Sequence, residues 1–115
     1  MKIEITVRAK QFKMIASGKM TEVYKDISQM WTKRLIKKGK FINISSVVIK
    51  HVSLVRNDQI ELEVEEVVKD YGEQSWGAEW GVEYYVLKLG KEVWRDIAEP
   101  KQTSYEDQRK SFSTR

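Results

Sequence analysis

No cysteine occurs in the 115 residues, histidine and proline occur once each (His51 and Pro100), and no apolar run approaches the roughly 20 residues needed to cross a bilayer. The first absence rules out a disulfide framework, a thiolate metal site and a thiol nucleophile, and a lone histidine cannot supply a histidine metal cluster. The first residues, Met1-Lys2-Ile3-Glu4, alternate where a signal peptide would carry an apolar block, so a cytoplasmic location is expected. No GxGxxG, Walker or HExxH pattern occurs. What remains is rich in core-forming groups: 41% of the residues are hydrophobic, with four Trp, five Tyr and three Phe, which suits one folded domain and not a disordered chain.

Charge is segregated along the chain. Between Arg8 and Lys40, ten basic residues stand against Glu22 and Asp26, whereas between Asn57 and Glu83 nine acidic residues stand against Lys69. A basic side favours polyanionic partners, because phosphate contacts release condensed counterions. The same charges also serve simple solubility.

Residues 2–8 alternate strictly and predict a half-buried strand. Phe12, Ile15 and Ala16 have helical spacing, and Ser17-Gly18 supplies a stop. Thr21 to Lys25 favours an extended segment, with Asp26 as N-cap of a second helix whose apolar stripe is Ile27, Met30, Trp31 and Leu35. Its basic rows are Lys33 with Lys37 and Arg34 with Lys38, and Gly39 closes it. Beyond Gly39 the period is that of strands. Residues 41–54 and 59–68 predict a hairpin turning at Arg56-Asn57-Asp58-Gln59, with Glu61, Glu63 and Glu65 on a solvated face and a bulge at Glu66-Val67-Val68. Residues 70–81 read as a loop carrying Trp76 and Trp80, and residues 82–94 as a strand interrupted at Gly90. The polar segment 96–115 reads as a loosely ordered tail after a domain spanning 1–95. The order of elements predicts an α+β domain whose mostly antiparallel sheet curls toward a small barrel, with two or more flanking helices.

The string from Phe12 to Leu35 resembles the ASCH domain family of the PUA-like superfamily. In its small phage and bacterial members a Ser-Gly-x-Lys-Thr-x-Glu-Tyr-Arg type motif precedes a Tyr-Trp-x-x-Arg-Leu block. The counterparts here are Ser17-Gly18-Lys19-Met20-Thr21-Glu22-Val23-Tyr24-Lys25 and Met30-Trp31-Thr32-Lys33-Arg34-Leu35, and Glu79 to Gly90 is similar to the family's closing Gly-x-x-Tyr-Phe-Val-Ile-Lys-Leu-Gly strand. The resemblance covers residues 2–94. It implies a PUA-like β-barrel with a cleft near the glycine-containing motif and an RNA or nucleotide-like ligand; no cofactor, metal or membrane partner is expected. In family amidohydrolases acting on acetylated cytidine, the lysine directly before the threonine is catalytic. Met20 stands there, and a thioether neither transfers a proton nor attacks a carbonyl, so binding without turnover is the expectation.

The ligand-binding residues expected on this basis are Lys10, Lys19, Thr21, Glu22, Lys25, Lys33, Arg34, Trp76 and Trp80. Lysines and arginine would meet phosphate, and the tryptophans would stack on bases. A second reading makes the chain a hydrolase of RNA or a modified nucleoside, with Lys19 as nucleophile or base, Thr21 and Tyr24 as donors to an oxyanion and Glu63 as proton carrier. A third makes it a phage or mobile-element protein that acts through protein partners. His51 reads as a partly buried strand residue more readily than as a general base.

Overall fold

The alternation at the start of the chain forms β1 (Lys2–Thr6), which turns Ile3 and Ile5 inward and Lys2, Glu4 and Thr6 outward. In this computed structural model, which describes residues 1–55 and 57–97, there follow α1 (Ala9–Ala16), β2 (Glu22–Asp26), α2 (Gln29–Leu35), β3 (Ile36–Lys37), β4 (Lys40–Phe41), β5 (Ser46–Val52), β6 (Asn57–Tyr71), a 3-10 turn (Gln74–Trp76) and β7 (Glu83–Asp96). Five strands make one sheet in the order β1-β5-β6-β7-β2, and β3 and β4 make a separate hairpin. In the larger sheet β1 runs parallel to β5 and every other pairing is antiparallel. The class is therefore α+β with a curled, half-barrel sheet and two helices. This is consistent with the expected small barrel-like fold, although among the described residues the edge strands β1 and β2 do not pair with each other.

Adjacent rungs on β2, β7 and β6 explain why there are two apolar clusters. Val23, Leu87 and Val67 lie side by side and face the main core, where Ile49 and Ile60 meet Phe12 and Ile15 of α1 and Leu35 of α2. One residue further, Tyr24, Val86 and Val68 face the opposite side, where Ala78 and Tyr84 join them. Alternation along a strand sends neighbours to opposite faces, so the sheet needs cover on both sides here. The loop between β6 and β7 touches both clusters, with Trp76 against the main core and Ala78 within the smaller one.

Several expectations are corrected. Asp26 ends β2, and Ser28 is the cap of α2, accepting from the Trp31 N–H at 3.2 Å. The helix starts after Ile27, so its inward stripe is Trp31, Thr32 and Leu35, while Ile27 and Met30 are exposed. Gly39 does not close this helix. Lys38 and Gly39, with φ of 54° and 76°, form the two-residue turn between β3 and β4, which requires positive φ at both positions. Lys37 and Lys38 therefore lie outside α2, and the basic rows expected on one helix are not continuous.

The β5–β6 turn comes earlier than expected, since Asn57 already pairs with Val52, and Arg56 lies outside the described residues. The bulge at Glu66–Val68 is displaced: the register between β6 and β7 shifts between Glu61 and Glu66 and is regular from Glu66 to Tyr71. Gly90 lies within the shifted stretch, where a Cβ would stand 2.9 Å from Cγ of Glu65 and displace that side chain. Asp96 still belongs to β7, opposite Gln59, and Ile97 packs on the core, while the tail expected beyond them falls, from residue 98, outside the described residues.

Candidate functional site

The first half of the motif is a helix terminus. Gly18 adopts φ of 81°, its N–H donates to the Ile15 carbonyl at 3.1 Å, and the Lys19 N–H donates to the Met14 carbonyl at 2.9 Å. These two bonds are those of a Schellman C-cap, which needs a left-handed residue where Gly18 stands. The chain then turns Met20 into the core, 2% exposed, and leaves Lys19 and Thr21 on the surface. Methionine at this position is thus a packing residue.

The second half of the motif is β2, and its two faces do different work. Glu22 and Tyr24 share the outer face, where the Tyr24 hydroxyl donates to Glu22 Oε1 at 2.8 Å and accepts from the Glu73 N–H at 2.9 Å. Its ring lies 5.7 Å from that of Tyr84, whose own hydroxyl accepts from the Glu79 N–H at 2.9 Å. Two tyrosine hydroxyls thereby tether both halves of the 72–82 loop. Gly72 sits directly over this layer, since a Cβ there would fall 2.7 Å from both Ala78 Cβ and Tyr24 Cζ. Burial first, and then the Glu22 carboxylate, push the Tyr24 phenol up to about 12, against the opposing pull of the Glu73 amide. With the folded value above the ordinary 10, the stability that this phenol contributes is fully present below pH 10 and is lost as pH rises toward about 12. Absorbance titration of the phenols is therefore expected to show a late step that Tyr24→Phe removes.

Lys25 occupies the inner face at the end of β2, beside Trp31. Its Nζ lies 5.3 Å from the centroid of the Trp31 ring, and the Arg34 guanidinium lies 4.4 Å from the same centroid. Burial, reinforced by Arg34, lowers the Lys25 ammonium below the ordinary lysine value, while Asp26 opposes the shift. Arg34 has a second neighbourhood. Together with Lys33 and Lys37 it lines a groove of about 510 Å³ whose opposite wall is Met1 to Glu4 of the β1 edge. Helix α2 thus reaches both unpaired sheet edges, β2 through Trp31 and β1 through this groove. Glu4, the acidic member, is paired with Lys50 at 3.0 Å.

The tryptophans of the loop separate. Trp76 is half-buried and lines a concavity of about 250 Å³ with Arg8, Lys10, Gln11 and Met14. Trp80, 83% exposed, lines another of about 500 Å³ with Tyr71, Gly72, Glu73, Gln74 and Gly81. The residues expected to share one cleft therefore distribute over three places: Lys33 and Arg34 in the groove, Lys10 with Trp76, and Trp80 above the Glu22–Tyr24 pair. Lys19 and Thr21 line none of these three concavities.

Glu63 is exposed on β6 opposite Ser46, five residues from the rung that carries Val68 and, two strands across, Tyr24. At about 3.4 Å per residue this is roughly 17 Å along the strand, too far for a proton to pass between them directly. The sequence missed its neighbour. Glu61, expected on the solvated face, is 5% exposed: the Ser46 hydroxyl donates to its Oε2 at 2.7 Å and Lys2 Nζ lies 3.4 Å from Oε1. The Ser46 bond first, then Lys2 and Trp94, hold this carboxyl below the usual glutamate value despite its cover. His51 is half-buried on β5, 6.3 Å from the Phe12 ring.

Among the described residues no three His, Asp or Glu side chains converge in a way that could hold a metal ion, and no helix is long and apolar enough to cross a membrane. No protein-family model, curated protein or solved structure matches the chain.

Proposed function

We propose that this protein is a PUA-like domain of ASCH type that binds RNA, or a nucleotide-like polyanion, in the groove between α2 and the β1 edge. One observation carries the reading. Lys33, Arg34 and Lys37 converge on a concavity whose acidic member, Glu4, is paired with Lys50, while Lys2 on the opposite wall is shared with Glu61. Arginine supplies a planar fork for phosphate and the lysines supply mobile point charges. Trp31 holds Arg34 from behind, so that part of its ordering precedes the ligand. The resemblance of residues 12–35 to the ASCH motif supports the same ligand class but places it near the Ser17–Lys25 segment, and the groove lies instead at the far end of α2. A cytoplasmic location suits such a role. Turnover is not part of this reading, because Met20 is enclosed in the core and Glu63 stands five residues along β6 from the rung of Tyr24.

Fluorescence anisotropy of a short labelled single-stranded RNA, at 50 and 200 mM salt, tests the reading. With about three phosphates engaged, at a slope near −0.7 for each, affinity is expected to fall roughly 20-fold across that interval. Binding that ignores salt, or none at millimolar protein, overturns it.

A further inference from the structure

We propose that the concavity between Tyr71 and Trp80 is a second ligand site, which takes a weakly hydrated organic cation such as a quaternary or methylated ammonium group. Its volume of about 500 Å³ lies within the range of small-molecule sites. Two large aromatic side chains on its wall are left to solvent, Trp80 at 83% and Tyr71 at 61%. Ring faces carry negative quadrupolar potential, and tryptophan is the strongest partner for a cation. The one lining side chain that carries a formal charge is the carboxylate of Glu73.

The surroundings have the same sign. From Lys69 to Glu83 the chain carries Asp70, Glu73, Glu79 and Glu83 against Lys69 alone, and Glu83 stands directly across from Tyr71. Beneath the floor, the carboxylates of Glu22 and Glu73 both raise the Tyr24 phenol, while the Glu73 amide pulls the other way. Such a field repels a phosphate. The polyanion groove and this site therefore call for ligands of opposite charge, and the second does not depend on the first.

The wall is also held before any ligand arrives. Glu73 N–H is fixed by the Tyr24 hydroxyl, Glu79 N–H by the Tyr84 hydroxyl, and Gly72 is packed against Tyr24 and Ala78. A loop pinned at both halves loses little freedom on binding.

The test compares choline with its neutral isostere 3,3-dimethyl-1-butanol, following the Trp80 indole N–H resonance of the full chain. Choline is expected to shift it saturably and to bind roughly two- to fivefold more tightly than the alcohol, the discrimination that one exposed cation–π contact supplies. Glu73→Gln should weaken choline and leave the alcohol unchanged. Trp80→Ala, read through Tyr71 resonances, should abolish the preference without changing the melting temperature. A trimethyllysine peptide run beside free choline tells a protein side chain from a small metabolite as the source of the cation. Equal binding of choline and the alcohol, or tighter binding of a nucleoside monophosphate than of choline, overturns the proposal. Failure of the RNA titration alone leaves it standing, since different residues are read.

Discussion

Replacing Tyr85 with alanine is expected to lower stability by about 3–5 kcal/mol, the cost of deleting a fully enclosed aromatic side chain from a close-packed core. Tyr85 is 1% exposed near the start of β7 and paired with Lys25 of β2. Its ring meets Phe41 edge-on at 6.0 Å, and its hydroxyl is bonded to that of Thr32 on α2. One residue therefore joins the sheet, the β3–β4 hairpin and the helix that carries the basic groove. Trp31→Ala should cost less, about 1–2 kcal/mol, because its ring is half-exposed and two of its neighbours are cations, the half-buried Lys25 and the exposed Arg34. Tyr85→Phe isolates the hydroxyl and should cost about 1 kcal/mol, leaving Thr32 without its partner. Urea unfolding of the three variants ranks them. A loss for Trp31→Ala equal to that for Tyr85→Ala would mean that the tryptophan anchors α2 as much as the tyrosine does.

That ranking shows what the sequence could and could not carry. Hydropathy puts Trp31 on the inward stripe and says nothing for Thr32, yet the threonine faces the core because a buried phenol elsewhere needs a partner. The start of α2 is misplaced for a similar reason: the sequence offers Asp26 as the cap, but pairing with Tyr84 on β7 makes it the end of β2 and leaves the cap to Ser28. Where the determinants are local, the reading reaches single residues. β1 follows its alternation, and α1 ends where Gly18 permits a left-handed turn.

The site was legible to the same degree. Lys33 and Arg34 are marked by their place in a basic helix end, but their neighbour across the groove, Lys2, sits 31 positions before Lys33 on a strand that only the fold brings near. Glu61 and Glu63 look alike on β6, and Ser46, Lys2 and Trp94 from three other strands enclose the first. Trp76 and Trp80 belong to one loop with one composition, and they part because the 3-10 turn lays the first against the core. Their difference in exposure has no signature in the local sequence.

Reversing charge at two positions of the groove, Lys33→Glu with Lys37→Glu, is expected to weaken RNA binding roughly 30-fold at 50 mM salt, since two attractions near 1 kcal/mol become repulsions and screening removes about half of the total. The slope of affinity against salt should fall by about 1.4, the share of two phosphates on a single strand. Both side chains are exposed and neither touches the core, so the fold should survive, although glutamate in the last turn of α2 opposes the helix dipole by about 0.3–1 kcal/mol. Lys33→Gln with Lys37→Gln avoids that penalty and should retain most of the loss of slope with a smaller loss of affinity. The control is Lys10→Glu with Lys13→Glu on α1, which changes net charge by the same amount on exposed residues outside the groove. If the two reversals weaken binding equally, affinity follows the total charge of the basic segment and no particular groove is involved. If only the α1 pair matters, the ligand lies beside Trp76, where Arg8 and Lys10 line the smaller concavity. A selective effect of the α2 pair, with the melting temperature unchanged, places phosphate against the helix end that Tyr85 and Trp31 hold between the two sheet edges.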